Sequence, residues 1–265
     1  MSMNEVVAIV AGGDRAHGAG VVRALTQGGA RVVVTAPPGE ALATGVPTSD
    51  GVVAVEGDIA TASAAEEAVK AALDRFGRLD LVVVNPARRL PVLGDITAEV
   101  DRAVESDLRA AYTMLKHATI VFRQQRNGRA VILCPREGLT GSDSSPVQAA
   151  IAGGLVGLTK AVSLGMSRYD VPCNAVAFDD VDAESAATLE ALVGYLAVEA
   201  SPQTTGHVFG VTGRTISLWA HERPIGSIFD ASGAWEVGDI EGIAPAVLSV
   251  DPLIASNVAV ATARG

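Results

Sequence analysis

The sequence predicts an α/β fold, a doubly wound parallel sheet that forms a single domain with a C-terminal extension. Short runs of β-branched and apolar residues alternate with stretches of helical periodicity along the 265 residues. The strand runs are apolar throughout, as in strands that are buried on both faces of a parallel sheet. Hydrophobic residues make up 49% of the chain and charged residues 19%, which is enough for one substantial core.

The predicted elements follow one another from the N-terminus. Strands are indicated at 6–11, 31–36, 51–58, 79–85, 129–134 and 171–178, and a last strand ends near Gly213. Helices are indicated from the first glycine-rich turn to about Gln27, and then at 62–76, 98–123, 147–167 and 192–197. Because no Pro/Ser-rich linker or internal repeat divides this series, we predict one domain over residues 1–219 and an ordered extension over 220–265.

Charge and cysteine content narrow the class of protein. The chain has 20 Lys and Arg against 30 Asp and Glu, a formal net charge of -10, whereas nucleic-acid binding needs a basic face. No apolar run approaches the roughly 18 residues of a membrane span, and the N-terminus lacks the pattern of a signal peptide. We therefore expect a cytoplasmic protein without a nucleic-acid or membrane partner. Cys134 and Cys173 lie far apart in or beside apolar stretches, which favours reduced core thiols over a disulfide or a metal site.

The first strand runs into a glycine-rich turn, AGGDRAHGAG, at residues 11–20. Such a turn lets backbone N–H groups and a helix N-terminus approach a pyrophosphate. From this turn onward, residues 6–219 resemble the short-chain dehydrogenase/reductase family, whose turn reads TGxxxGxG. Gly12 and Gly18 match the first and third glycines, while Ala11 stands at the Thr place and Ala16 at the second glycine. The resemblance implies a Rossmann-like sheet with an NAD(P) site.

Further motifs extend the resemblance along the chain. Asp58-Ile59, after a glycine, resembles the family's Asp-Val that contacts adenine, and Asn85 in VVVNPA resembles its NNAG turn. GLVGLTKA at 154–161, NAVA at 174–177 and TGHVFGV at 205–211 also match. Arg15 stands where NADP-preferring members often carry a basic residue, although a solvated turn arginine explains it equally well. The resemblance thus implies that any remaining cofactor contacts come from Gly12, Arg15, Gly18, Asp58, Ile59 and Asn85.

The family's chemistry depends on four side chains, and each is replaced in this sequence. A Tyr exchanges a proton with the carbonyl, a Lys four residues later lowers the pKa of that Tyr, a Ser orients the substrate oxygen, and an Asn continues the proton relay. Counting back from GLVG places Gln148 at the Tyr and Ala152 at the Lys. Counting from the glycine of CPREG places Pro135 at the Ser, and SDLRAAY places Asp107 at the Asn. We therefore predict no catalytic residue at these positions.

Other departures lie around the implied cofactor site. Phe178-Asp179 replaces the family's Pro-Gly beside the nicotinamide, and Ala36 replaces the acidic residue that holds the adenosine ribose. His17 is a bulky substitution that narrows the pyrophosphate site. The interval from Asp179 to the predicted helix at 192 is too short for the substrate-covering lid of active members.

Two further patterns do not replace the missing relay. Tyr112 and Lys116 match Tyr-x-x-x-Lys, but they precede the strand that should carry the Ser, on a helix expected to pack on the outer face of the sheet. That helix is better suited to a subunit interface. The three serines before Gln148 have no His or Lys placed to activate them. They are Ser142, Ser144 and Ser145.

The resemblance without the relay predicts a non-catalytic subunit. We expect it to assemble with an active short-chain dehydrogenase, as a heterotetramer in which the partner binds NAD and this chain binds NAD(P) weakly or not at all. The family forms dimers through two helices, here 98–123 and 147–167, and tetramers through a last helix and strand, here 189–211. The segment WAHERPIGSIF in the tail resembles, more faintly, members that act on 3-hydroxyacyl-CoA thioesters.

Two alternatives remain open at this point. In the first, the chain is an active reductase with an unorthodox proton relay that uses Asp107 or Asp179. In the second, it is a regulator that senses a dinucleotide without turning it over. The regulator would keep Gly12, Gly18, Asp58 and Asn85 for binding. The sequence offers no separate effector domain for it.

Overall fold

A computed structural model describes residues 3–13, 17–36, 39, 46–47, 49–86, 96–142, 145–179, 182–198 and 204–221. Arg15, Ser144 and nearly all of the predicted extension at 220–265 lie outside the described residues. The boundary between domain and extension therefore stays a prediction.

Eight strands form one sheet, with the order β3-β2-β1-β4-β5-β6-β7-β8. The first seven are parallel, and β8 pairs antiparallel with β7. This confirms the predicted Rossmann-like α/β fold with its doubly wound parallel sheet. The strands are β1 Val7–Ala11, β2 Arg31–Ala36, β3 Val52–Glu56, β4 Leu81–Val84, β5 Arg129–Pro135, β6 Cys173–Phe178, β7 Val208–Thr212 and β8 Thr215–Trp219.

The helices cover both faces of the sheet and create two apolar cores. The larger core lies under α2, α4 and α6 and includes Met114, Phe122 and Leu155. The smaller core lies under α1 and α7 and includes Leu25 and Leu189. The helices are α1 Gly18–Gln27, α2 Ala62–Phe76, α3 Ile96–Ala103, α4 Ala110–Gln125, α5 Glu137–Thr140, α6 Pro146–Met166 and α7 Ala183–Ala197.

Three features were not predicted from the sequence. The long helix at 98–123 contains a π-helical segment, Val104–Arg109, between α3 and α4. The short helix α5 follows β5 directly. Strand β8 forms a hairpin with β7 through a turn in which Gly213 has a φ of 53°, a left-handed conformation that suits glycine.

Helix α6 is the most apolar helix among the described residues. With the turn that follows it, the segment Pro146–Tyr169 is the one described helix long and apolar enough to cross a membrane, with a mean hydropathy of 1.5. Its buried residues, such as Leu155 and Val156, pack in the larger core against β5 and β6. By length and composition this segment does approach a membrane span, contrary to the expectation from the sequence, although one face of it packs on the sheet.

The topology determines where a ligand site is expected. The chain adds β2 and β3 on one side of β1 and then crosses to add β4 on its other side. The strand order therefore reverses between β1 and β4. In open α/β sheets, ligands bind outside the carboxyl ends of the strands at such a switch point. The strand ends that surround this crevice are Ala11, Ala36, Val84, Pro135 and Phe178.

Candidate functional site

The turn after β1 is held by buried hydrogen bonds from two neighbouring strands. Gly12 has a φ of 86°, and its N–H donates to Thr35 Oγ1 at 3.1 Å. Its carbonyl accepts from Asn85 Nδ2 at 3.1 Å, and the backbone N–H of Asn85 donates to the carbonyl of Ala11 at 2.8 Å. Gly12 and Asn85 therefore shape the turn.

Gly18 begins α1 in close contact with the same turn. A Cβ at this position would lie 2.5 Å from the Gly12 carbonyl oxygen and 2.7 Å from Gly13 Cα, so only glycine fits without movement of the backbone. This packing brings the N-terminus of α1 to the crevice, where a helix end favours an anion. The glycines matched to the family motif thus have a structural role in the turn.

His17 caps α1 and contacts Phe178 at the far side of the crevice. Its φ of 68° and ψ of -16° lie in the left-handed region, and its side chain makes no capping hydrogen bond. The two rings meet edge to face, with centroids 5.1 Å apart and planes at 80°. Burial lowers the pKa of His17, while the charge of Glu190 opposes that shift. The two substitutions that the sequence pointed out separately are therefore in contact.

An ion pair joins the ends of β5 and β6 beside these rings. Arg136 Nε donates to Asp179 Oδ1 at 2.8 Å, and Arg136 Nη2 lies 2.7 Å from Asp179 Oδ2. The backbone N–H of Arg136 also donates to the carbonyl of Phe178 at 2.9 Å. Both oxygens of Asp179 are thus engaged by one guanidinium, a bidentate arrangement that fixes the carboxylate.

The positions of the family's Tyr and Lys lie on the first turns of α6. Gln148 is half-buried, and its Oε1 accepts from Ser145 Oγ at 3.4 Å. Ala152 is fully buried where α5 packs on α6, since a Cβ on Gly138 would lie 2.7 Å from Ala152 Cβ. Neither side chain carries a group that titrates near neutral pH.

The positions of the family's Ser and Asn lie beside those of the Tyr and Lys. Pro135 is the last residue of β5 and is in register with Phe178. Asp107 lies in the π-helical segment, is 7% exposed, and accepts through Oδ1 from Ser106 Oγ at 2.9 Å. Because α6 packs against both β5 and the π-helical segment, the elements that carry the four replaced positions are in contact. Asp107 alone among them is ionisable.

Asp58 and Ile59 follow β3 at the adenosine side of the crevice. The Asp58 Oδ1 accepts from the N–H of Ala60 at 3.0 Å, and its carbonyl accepts from Thr61 Oγ1 at 2.7 Å. Ile59 is 3% exposed and belongs to the larger core. Both residues thus contribute to the local fold, and their predicted contact with adenine stays a prediction.

Two features of the described residues concern the space that a dinucleotide would need. A dinucleotide lies across the crevice at the switch point, with a ribose held by an acidic side chain near the end of β2. Here β2 ends at Ala36, and the His17 and Phe178 rings meet across the crevice. The groups that would hold the adenosine ribose and leave room for the nicotinamide are both replaced.

The connection after β6 is short. Strand β6 ends at Phe178, and α7 begins at Ala183 with Asp182 as its cap, whose Oδ1 accepts from the N–H of Ser185 at 2.8 Å. The final helix therefore starts earlier than the predicted 192, and residues 179–182 are all that joins the two elements. A substrate-covering lid has no room in this connection.

A profile of the family described as short chain dehydrogenase matches residues 6–192. This chain belongs to the short-chain dehydrogenase family. The family is one of oxidoreductases, and the match covers the strands and helices that surround the crevice.

Individual relatives of this short-chain dehydrogenase family member agree with the assignment. The L-fucose dehydrogenase of Rattus norvegicus is 32% identical over 176 residues. The matched region covers 64% of this chain and 64% of that protein's length. The (2S)-[(R)-hydroxy(phenyl)methyl]succinyl-CoA dehydrogenase subunit BbsC of Thauera aromatica is 32% identical over 185 residues, 61% of this chain and 73% of that one. A crystal structure of a short chain dehydrogenase from Mycobacterium avium superposes with a TM-score of 0.78 at 23% identity, covering 94% of this chain and 96% of that chain, which supports the fold.

Among the remaining candidates of the sequence, Tyr112 and Lys116 lie away from the replaced positions, and the two cysteines lie in the core. Tyr112, 58% exposed, and Lys116 lie on the outer side of α4. Burial raises the pKa of Cys134 and of Cys173 to about 12, so both thiols stay protonated at neutral pH. Ser142 Oγ accepts from the N–H of Ser145 at 3.0 Å. Within the described ranges, no group of three or more His, Cys, Asp or Glu residues is arranged to hold a metal ion.

Sequence reasoning missed how the substituted residues of this short-chain dehydrogenase pair with one another. It pointed out His17, Phe178 and Asp179 as departures, but not the ring contact or the ion pair to Arg136. Arg136 directly follows the Ser position at the end of one predicted strand, and Asp179 follows the end of the next. Opposite charges at the ends of two such strands are a signal that could have suggested the pair.

Proposed function

We propose that this chain is a non-catalytic subunit that assembles with a catalytically competent short-chain dehydrogenase. The observation that supports it is the set of side chains at the four replaced positions. Gln148 and Ala152 offer no group to hold or move a proton, and Pro135 has no side-chain donor to orient an oxygen. Asp107 is the one ionisable side chain at these four positions, and its Oδ1 accepts from Ser106 Oγ.

The size of the loss supports a change of role rather than a slower enzyme. A single general acid or base contributes about 10²–10⁴ in rate. The four family positions act as a unit, so the lost factors do not simply multiply. However, a chain that has also lost the ribose acid, the lid and the open crevice retains few means of stabilising a transition state.

The outer faces of α4 and α6 support the proposed partner contact. Tyr112 and Ile120 on α4 are 58% and 41% exposed, and Leu164 on α6 is 77% exposed. A Cβ on Gly157 or Gly165 of α6 would meet nothing within 4 Å, so backbone as well as side chains is accessible there. A surface of this kind, shared by two related chains, pairs an active with an inactive copy when one copy loses its site.

The proposed setting is a heterotetramer in the cytoplasm that oxidises a 3-hydroxyacyl-CoA type of substrate. The relative from Thauera aromatica is named as one subunit of a dehydrogenase acting on a succinyl-CoA thioester. NAD would bind in the partner, and this chain would bind NAD(P) weakly or not at all.

Co-expression with a candidate active short-chain dehydrogenase from the same genome, followed by co-purification, tests this function. We expect a stable complex that oxidises the substrate, and an isolated chain that does not. Leu164→Glu should abolish the complex, whereas Ala62→Glu, which places the same charge on the exposed first turn of α2, outside the elements assigned to the interfaces, should leave it intact. An isolated chain that forms no complex and turns over NAD(H) or NADP(H) would contradict the proposal.

An active dehydrogenase is the second candidate, because relatives of this chain carry names of active enzymes. The L-fucose dehydrogenase of Rattus norvegicus is one of them. In that case Asp107 or Asp179 would have to move the proton. Substituting each by Asn would remove the activity, and activity that survives both changes would exclude this relay.

A further inference from the structure

We propose that, in the non-catalytic chain described above, His17 and Phe178 close the crevice to the nicotinamide half of a dinucleotide. The exclusion would come from a contact between two side chains and would be reversible by substitution. It would not require any loss of the fold. This deepens the proposed function and depends on it, but it makes a separate statement about binding.

The contact between His17 and Phe178 bridges the ends of two strands that are not neighbours. In the sheet, β4 and β5 lie between β1 and β6. Neighbouring strands are about 4.8 Å apart, so the ends of β1 and β6 are separated by roughly 14 Å. The ring of His17, which caps α1, nevertheless meets the ring of Phe178, with 5.1 Å between centroids. The two side chains therefore span the ends of the intervening strands.

The surroundings of Phe178 hold it in place at the end of β6. Its side chain is 8% exposed and belongs to the smaller core. Its carbonyl accepts from the N–H of Arg136, and the neighbouring Asp179 is held by the Arg136 guanidinium at 2.7 and 2.8 Å. The end of β6 thus presents a ring that a ligand would have to displace from a packed position.

The backbone of His17 adopts an uncommon conformation. A non-glycine residue with a φ of 68° is uncommon and persists when its surroundings hold it. Its carbonyl accepts from the N–H of Val21 at 3.0 Å, the first hydrogen bond of α1, and its ring rests on Phe178. The half-buried ring therefore extends from the helix N-terminus toward the end of β6.

The position of the contact decides which half of a dinucleotide it excludes. The strands β1, β2 and β3 form one half of the crevice, and the ribose of the adenosine is held near the end of β2. Phe178 ends β6, in the other half. We therefore assign the contact to exclusion of the nicotinamide half.

Binding titrations on the full chain test the assignment, with NADH, NADPH and AMP as probes and tryptophan or nicotinamide fluorescence as the signal. We expect the double variant His17→Gly, Phe178→Leu to bind NADH or NADPH at least tenfold more tightly than the wild type. AMP, which lacks the nicotinamide, should bind the wild type and the variant equally. Phe209→Leu is the matched control, because Phe209 stacks on His207 at 6.0 Å on β7, outside the crevice.

Several results would overturn the assignment. These are a folded double variant with unchanged affinity for both dinucleotides, an equal gain for AMP, or an equal gain in the Phe209→Leu control. If the double variant does not fold, His17→Gly alone serves, since glycine suits a positive φ, and at least a threefold gain is expected. Turnover by the isolated wild-type chain would instead contradict the proposed function, and the binding assay does not depend on turnover.

Discussion

Replacing His17 and Phe178 singly and together measures how strongly their rings interact. His17→Gly removes the ring contact but relieves a positive φ, which costs a non-glycine residue about 1 kcal/mol or more. An edge-to-face pair contributes about 0.5–1.5 kcal/mol. The two effects nearly cancel, so we expect His17→Gly alone to change the free energy of unfolding by less than about 1 kcal/mol. Phe178→Leu should cost about 1–1.5 kcal/mol, because it keeps the apolar contacts of the smaller core.

The interaction itself appears as the deviation from additivity. The effect of His17→Gly on the unfolding free energy should differ by about 1 kcal/mol between the wild-type and Phe178→Leu backgrounds. Changes in the unfolded chain caused by glycine cancel in this comparison. Urea denaturation with unchanged m-values provides the four free energies. Additivity within about 0.3 kcal/mol would refute the reasoning, because rings that touch across the crevice must be coupled.

Three further predictions concern pH, packing and thiol reactivity. Burial holds the pKa of His17 below 6.5, so the unfolded chain takes up a proton at a higher pH than the folded chain does. The free energy of unfolding should therefore decrease as the pH drops through 6.5. Urea denaturation should show a smaller decrease in His17→Gly. Gly138→Ala on α5 should cost about 2 kcal/mol, since its Cβ would lie 2.5 Å from the carbonyl carbon of Ala152 on α6, whereas Gly157→Ala on the open face of α6 should gain about 0.5–1 kcal/mol; equal effects would contradict the packing. Both cysteines, with pKa values of about 12, should resist iodoacetamide in the folded chain and react once it is unfolded, as mass spectrometry would show.

The fold was predictable because its information is local. Each parallel strand is a short apolar run, and each intervening helix has its own periodicity, so the α/β alternation appears without any knowledge of long-range contacts. Strand β8 escaped prediction because it packs little. Ile216 and Leu218 are 48% and 62% exposed, and its pairing depends on a turn at Gly213. The π-helical segment at Val104–Arg109 has no comparable sequence signal.

The candidate site was predictable only as a set of replacements. Counting from the motif GLVG identified Gln148 and Ala152, because spacing along one helix is fixed. What the replacements do depends on residues that are far apart in the chain. His17 and Phe178 meet across two strand ends, and Arg136 finds Asp179 on the neighbouring strand. Sequence spacing does not contain that information.

We propose that this member of an oxidoreductase family does not transfer a hydride at its own crevice. A single-turnover experiment tests it most directly, with the isolated chain in excess over NADH or NADPH and a 3-oxoacyl-CoA ester as acceptor. We predict that the nicotinamide absorbance decays no faster than in a mixture without protein. Stoichiometric oxidation of the nicotinamide that disappears in Asp107→Asn would contradict the account.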